Sequence, residues 1–169
     1  MRSMKRESTG CRLKRRGLVE YRSAAMIAAK PERSSMIDRM SEEIIRAMLE
    51  TMPMETTVID AKDEVIGWNK HEKRLFHRPM SSMGLNFRDC HPQESLAKVE
   101  QIVGEMRSGV RDKARFWIDL EVTPREPKHK VLIEFFALRD AKGLYLGCME
   151  CTQDVQDIMM LEGQKRLLD

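Results

Sequence analysis

Aromatic residues are scarce, with two Trp, two Tyr and five Phe in 169 residues. A core with so few rings has to be filled by aliphatic side chains and by the fourteen methionines, which adapt to irregular gaps. No apolar run approaches the roughly 18 residues that a membrane span needs, so no membrane segment is expected. There is no phosphate-binding glycine loop, no G-x-S-x-G turn and no kinase motif. The four histidines, His71, His77, His91 and His129, form no nucleophile–base pattern. No catalytic activity is expected. Cysteine is limited to Cys11, Cys90, Cys148 and Cys151. Without a secretory signal, these read as reduced thiols of a cytoplasmic protein. Arg15-Arg16 is not followed by an apolar stretch, which excludes a twin-arginine signal.

The charge is unevenly divided. Residues 1–35 carry ten Lys or Arg against three Asp or Glu, whereas residues 36–169 carry twenty against twenty-four. The remainder is thus mildly acidic, which gives no basis for nucleic-acid binding outside the first segment. Residues 1–35 read as a basic, disordered tail, or as sequence upstream of a true start at Met36 or Met40. A tail that binds nucleic acid or acidic lipid, and a short helix over Leu18–Lys30, are the competing readings.

From Ile37 the pattern changes. Ile37, Met40, Ile44, Ile45, Met48, Leu49 and Met52 share one helical face, and Pro53 stops the run. This predicts an amphipathic helix within residues 36–53, with Ser41 placed to restart or cap it. Its stripe must be buried against the domain or against a second copy. Thr56–Asp60 and Val65–Asn69 then read as a hairpin, and His71–Phe76 as a short helical turn. Residues 77–90 are irregular. A long helix follows with Leu96, Val99, Ile102, Val103 and Met106 on one face, ended by Ser108-Gly109. Strands are expected at Arg115–Val122, Val131–Leu138 and Leu144–Cys151. A final helix, capped by Asp154, is expected to run through 154–169. Two strands, helices and three further strands make an α+β pattern with an antiparallel sheet.

The long helix begins from Arg88-Asp89-Cys90-His91-Pro92-Gln93-Glu94-Ser95. Pro92 suits the first helical position, which puts His91 at the N-cap and lets Glu94 reach back as in a capping box. Histidine is a poor cap compared with Ser, Thr, Asp or Asn. It is therefore either a ligand or a turn residue. Cys148-Met149-Glu150-Cys151 has CxxC spacing, but on a strand positions i and i+3 face opposite ways, which argues against one shared metal.

The order of elements and several local motifs resemble the PAS domain family of sensory modules. Val58-Ile59-Asp60 with Asp63-Glu64-Val65-Ile66-Gly67-Trp68-Asn69 resembles the opening hairpin of that family. Tyr145-Leu146-Gly147 and Thr152-Gln153-Asp154-Val155-Gln156-Asp157-Ile158 resemble its ending, with Val155 and Gln156 in place of the usual Ile and Thr. Cys90-His91-Pro92, Phe116-Trp117-Ile118 and Leu161-Glu162-Gly163 are similar to bacterial PAS modules that often follow a hemerythrin-like domain. The resemblance spans roughly residues 40–165. It implies a five-stranded antiparallel sheet with helices on one face, a core over 54–153, and flanking helices at either end.

His91-Pro92-Gln93-Glu94-Ser95 is also similar to a His-Pro-x-x-Ser pattern in some heme-binding PAS regulators, where the histidine is an axial iron ligand. The resemblance thus implies heme as a cofactor, with His91 on the iron. A second ligand would come from Met80, Met83, Met106, Met149 or Cys148. The ligand space would be lined by Val58, Phe76, Leu96, Val99, Ile102, Val103, Phe116, Ile118, Ile133, Phe135 and Leu146, which otherwise simply fill the core. The expected function is a cytoplasmic sensor that binds a small ligand and relays its state through flanking helices. The partners implied are a second copy of the chain and a separate effector protein. The alternative is a cofactor-free PAS module for dimerisation or protein interaction. A DNA-associated regulator using the basic tail is a third reading.

Overall fold

A computed structural model describes residues 36–70 and 74–167. The basic segment 1–35, with its expected tail or helix, lies outside the described residues, as does His71. Met36–Arg39 form a 3-10 turn. Helix α1 (Glu42–Thr51) starts at Ser41, whose backbone is extended and whose hydroxyl accepts from the Ile44 amide at 3.4 Å. The helix expected from Ile37 is therefore cut short by its own internal cap.

Five strands form one antiparallel sheet: β1 (Glu55–Asp60), β2 (Val65–Trp68), β3 (Lys113–Leu120), β4 (His129–Arg139) and β5 (Tyr145–Asp154). Their order across the sheet is β2-β1-β5-β4-β3, so the last strand lies in the centre. The β1–β2 turn is built by Asp60, whose carboxylate accepts from the Lys62 and Glu64 amides at 2.8 and 3.0 Å. Helix α2 (Gln93–Arg107) crosses from β2 to β3. It buries Val99, Val103 and Met106, and packs against β4 and β5. Phe87, Val103, Met106 and Val131 are the most deeply buried apolar residues of the core.

Three expectations need correction. Arg74-Leu75-Phe76 is not helical. The Arg74 guanidinium instead donates to the Phe76, Thr56 and Asn69 carbonyls, which ties the segment to the sheet rather than to its own backbone. Helix α3 spans only Gln156–Met159, although Asp154 does accept from the Gln156 amide at 2.9 Å. Ile158, Met159, Met160 and Leu161 remain more than half exposed, so no tertiary packing supports a longer helix here. Finally, β5 reaches Asp154 rather than Cys151, and β3 ends at Leu120 rather than Val122. Among the described residues, no helix is long and apolar enough to cross a membrane.

Candidate functional site

The segment before α2 folds as a 3-10 turn over Phe87–Cys90. His91 follows it, and Pro92 is the N-cap of α2 rather than its first residue, since its ψ of 143° is extended. The Ser95 and Leu96 amides donate to the Pro92 carbonyl, as does the Ser95 hydroxyl at 3.1 Å. Ser95, not Glu94, therefore closes the first turn with its side chain. The imidazole turns back on the 3-10 turn, with Nδ1 lying 2.8 Å from the Phe87 carbonyl. A carbonyl only accepts, so Nδ1 carries the proton in that bond, and in the neutral ring the lone pair is left on Nε2.

Nε2 faces the sheet. Glu150 stands at the middle of β5, between Thr57 of β1 and Phe135 of β4. Its Oε2 lies 4.0 Å from His91 Nε2, and its Oε1 lies 3.5 Å from an Arg78 guanidinium nitrogen. The Thr152 hydroxyl also donates to Oε1 at 3.3 Å. All three charged or chargeable side chains are largely buried, at 12 % exposure for Glu150, 13 % for Arg78 and 16 % for His91. Arg78 Nε is buried and has no partner among the described residues.

These groups line a cavity of about 480 Å³ between α2, the sheet and segment 75–78. Of the residues anticipated from sequence, His91, Val99, Phe116, Ile118, Ile133 and Phe135 line it, together with Phe76. Phe116 and Phe135 stack with centroids 5.8 Å apart. Val103 lines a narrow recess behind His91 instead, with Cys148. Ile102 and Leu96 are half-buried in the core but not on the cavity wall. Val58 lies on the opposite face of the sheet, near Met149 and α1.

Leu146 is a correction, since it is 50 % exposed. Alternation counted back from Cys148 would point it inward. The β4–β5 register shifts there: Leu138 pairs with Gly147 and Arg139 with Tyr145, so Leu146 is the extra, bulged residue and Tyr145 takes the buried place. Of the five proposed second iron ligands, Met80 and Met83 are exposed, Met149 faces α1, and Met106 is buried against the Cys148 thiol at 3.6 Å. Burial pushes the Cys148 thiol up to about 12 and the Cys151 thiol up to about 11, so neither has thiolate character near neutral pH. No cluster of three metal-ligating side chains occurs among the described residues.

The sequence reading missed Arg78, Glu150 and Arg74, and named Asn69 only as the end of the opening hairpin. Glu150 carried a legible signal, a charge in phase with Cys148 and Thr152 on a mostly apolar strand. The arginines carried none, because their segment has no periodicity. Asn69 is buried beyond the end of β2. Its Oδ1 accepts from the Thr56 amide at 2.6 Å, and its Nδ2 donates to the Leu49 and Met54 carbonyls at 2.7 and 3.1 Å. Arg74 donates to the Asn69 carbonyl at 2.7 Å and to the Thr57 hydroxyl at 2.9 Å. It also pairs with Glu55 at 3.7 Å. Glu55 in turn accepts from the Leu75 amide. A continuous set of bonds thus runs from the cavity rim to α1.

A PAS domain family profile matches residues 45–156. The C-terminal domain of a Streptococcus mutans protein is similar in structure, with a TM-score of 0.64 and 28 % identity over 73 % of this chain and 91 % of that one. The PAS domain of a Colwellia psychrerythraea protein gives a TM-score of 0.51 at 12 % identity, over 68 % of this chain and 97 % of that one. VqmA of Vibrio cholerae gives a TM-score of 0.53 at 18 % identity, over 74 % of this chain and 56 % of that one. No curated protein sequence matches the chain.

Proposed function

The chain belongs to the PAS domain family, and from that premise we propose that it is a cytoplasmic sensory module, not an enzyme, that binds a small molecule beside His91. The observation that carries this reading is the cavity of about 480 Å³, within the usual range for ligand sites, whose apolar wall is interrupted by His91, Arg78 and Glu150. Burying such groups is costly unless they are paired, so a core meant only for stability would not favour them there. A VqmA structure of the same fold is described as bound to DPO. Occupancy would reach α1 through Arg74 and Asn69. The apolar residues Ile44, Met48 and Leu49 of α1 are exposed, which suits a homodimer or a separate effector protein.

Native mass spectrometry of the full chain purified from cells tests the reading. A mass excess of one small molecule, lost on substitution of His91 and Arg78, is expected. A bare chain that also takes up no small molecule from a metabolite extract rejects it. For the dimer, Ile44→Glu with Met48→Glu is expected to yield a monomer by light scattering. An unchanged mass rejects that interface.

Heme is the second reading, favoured by one observation: the Nδ1 bond to Phe87 leaves Nε2 as the lone pair an iron would take. Heme would supply redox or diatomic-gas sensing there. The Glu150 carboxylate at 4.0 Å from Nε2 counts against it, because it occupies the side from which iron would approach. A Soret band in protein supplied with heme, absent in His91→Ala, would decide for heme.

A further inference from the structure

We infer that residues 76–79 form a strap over the cavity, latched by the ion pair between Arg78 and Glu150, and that release of this latch admits and frees the small molecule. This rests on the sensory reading above and adds how its site opens.

The side of the cavity formed by residues 75–78 has neither helix nor strand. The strap is fixed at both ends. At the first, the Leu75 amide donates to the Glu55 carboxylate, and the Phe76 carbonyl accepts from Arg74 Nε at 3.2 Å. At the second, the Pro79 carbonyl accepts from the Ser82 amide at 2.8 Å, and the Gly84 amide donates to the Val65 carbonyl of β2 at 2.8 Å. Between these ends, neither His77 nor Arg78 makes a backbone–backbone hydrogen bond among the described residues. Segments with few such bonds open at the lowest free energy. His77 is exposed, so Arg78 is the side chain that ties this free stretch to the domain.

Glu150 is the fixed half of the latch. It stands at mid-strand in β5, and its Oε1 accepts from the Thr152 hydroxyl at 3.3 Å. The Arg78 guanidinium lies 3.5 Å from the same oxygen, with both side chains largely buried. Desolvation offsets much of the attraction in a buried ion pair, so the contact can hold the strap and still release it. Arg78 and Glu150 also line the narrow recess beside Val103 and Cys148, so both spaces meet at the latch. The strap's first end is bonded to Arg74, which donates to the Asn69 carbonyl at 2.7 Å. The strap is thereby tied to the residue that holds the end of α1.

Cys90 lines both spaces and is half-buried, so its thiol reports opening, whereas Cys148 is 2 % exposed and reports general unfolding. The test is iodoacetamide alkylation of the full chain, with the rate at each cysteine read by peptide mass spectrometry. Arg78→Met is expected to quicken Cys90 at least tenfold while Cys148 keeps its rate. Glu150→Gln, which keeps the shape and removes the charge, should do the same, and it serves alone if Arg78→Met does not fold. An unchanged Cys90 rate overturns the latch. So does a Cys148 rate that rises in step with Cys90, because the variant is then unfolding as a whole. Either failure leaves the small-molecule reading to native mass spectrometry, which detects a bound molecule whether or not the strap opens.

Discussion

Asn69 Nδ2 donates to the Leu49 carbonyl at 2.7 Å. This bond joins a residue just past β2 to the last turn of α1, where the Leu49 carbonyl has no i+4 amide because that position is Pro53. With the Oδ1 bond to Thr56 and the second Nδ2 bond to Met54, one buried amide fixes where the flanking helix leaves the sheet. A displacement of Asn69 would therefore act directly on the end of α1.

Asn69→Ala should lower stability by about 2–3 kcal/mol, since it leaves the Thr56 amide and two carbonyls without their side-chain partner. Urea unfolding measures this. Hydrogen exchange should quicken across Glu42–Thr51 more than across β4. Unchanged exchange in α1 would mean that the helix is held by other contacts.

Arg74 is 1 % exposed and pairs with Glu55, itself 7 % exposed. Arg74→Met should destabilise by about 3–5 kcal/mol, because it strands a buried carboxylate. Adding Glu55→Gln to it should recover part of that loss. A double-mutant cycle with strictly additive effects would remove the pair from the account.

Gly147 lies in the β4–β5 bulge against β1. A Cβ built there would stand 2.0 Å from the Ile59 carbonyl oxygen, which is backbone and cannot swing aside. Gly147→Ala should cost about 2 kcal/mol or more by overpacking. Thermal unfolding measures it, and a variant of full stability would show that the strands can separate without penalty.

His129 Nδ1 lies 2.6 Å from Asp154 Oδ2, and the bond to that carboxylate raises the His129 pKa above its ordinary value. The folded state therefore holds this proton more tightly than the unfolded chain does. The stability it adds is present in full below the unfolded value of about 6.5 and is lost as pH rises through the higher folded value. The His129 ring signals in an NMR titration should show a midpoint above that value, moving down in Asp154→Asn. A midpoint that does not move would assign the shift to another group.

The element order was legible because burial imposes a period on sequence. Strands of the sheet and the inner face of α2 must present apolar residues at fixed spacing, and Val99, Phe116, Ile118, Ile133 and Phe135 lie where that spacing puts them. His91 was legible for a different reason: Pro92, expected at the first helical position, put an unsuitable residue at the expected cap, although the structure moves that cap to Pro92 and leaves His91 one residue before it. Local cap geometry was less legible. Whether Pro92 falls inside or just before α2 depends on a single ψ, which no pattern encodes.

By itself, the sequence determined an α+β chain with a five-stranded antiparallel sheet, a long helix packed on it and a histidine at that helix's start. Only the tertiary structure decided what His91 faces. Glu150 comes from a central strand and its partner Arg78 from an aperiodic segment, and Glu150 meets the imidazole only when β5 is inserted between β1 and β4. The bulge that turns Leu146 outward is likewise a product of pairing between strands. Periodicity records which side of an element is buried; it does not record which polar group lies across the gap.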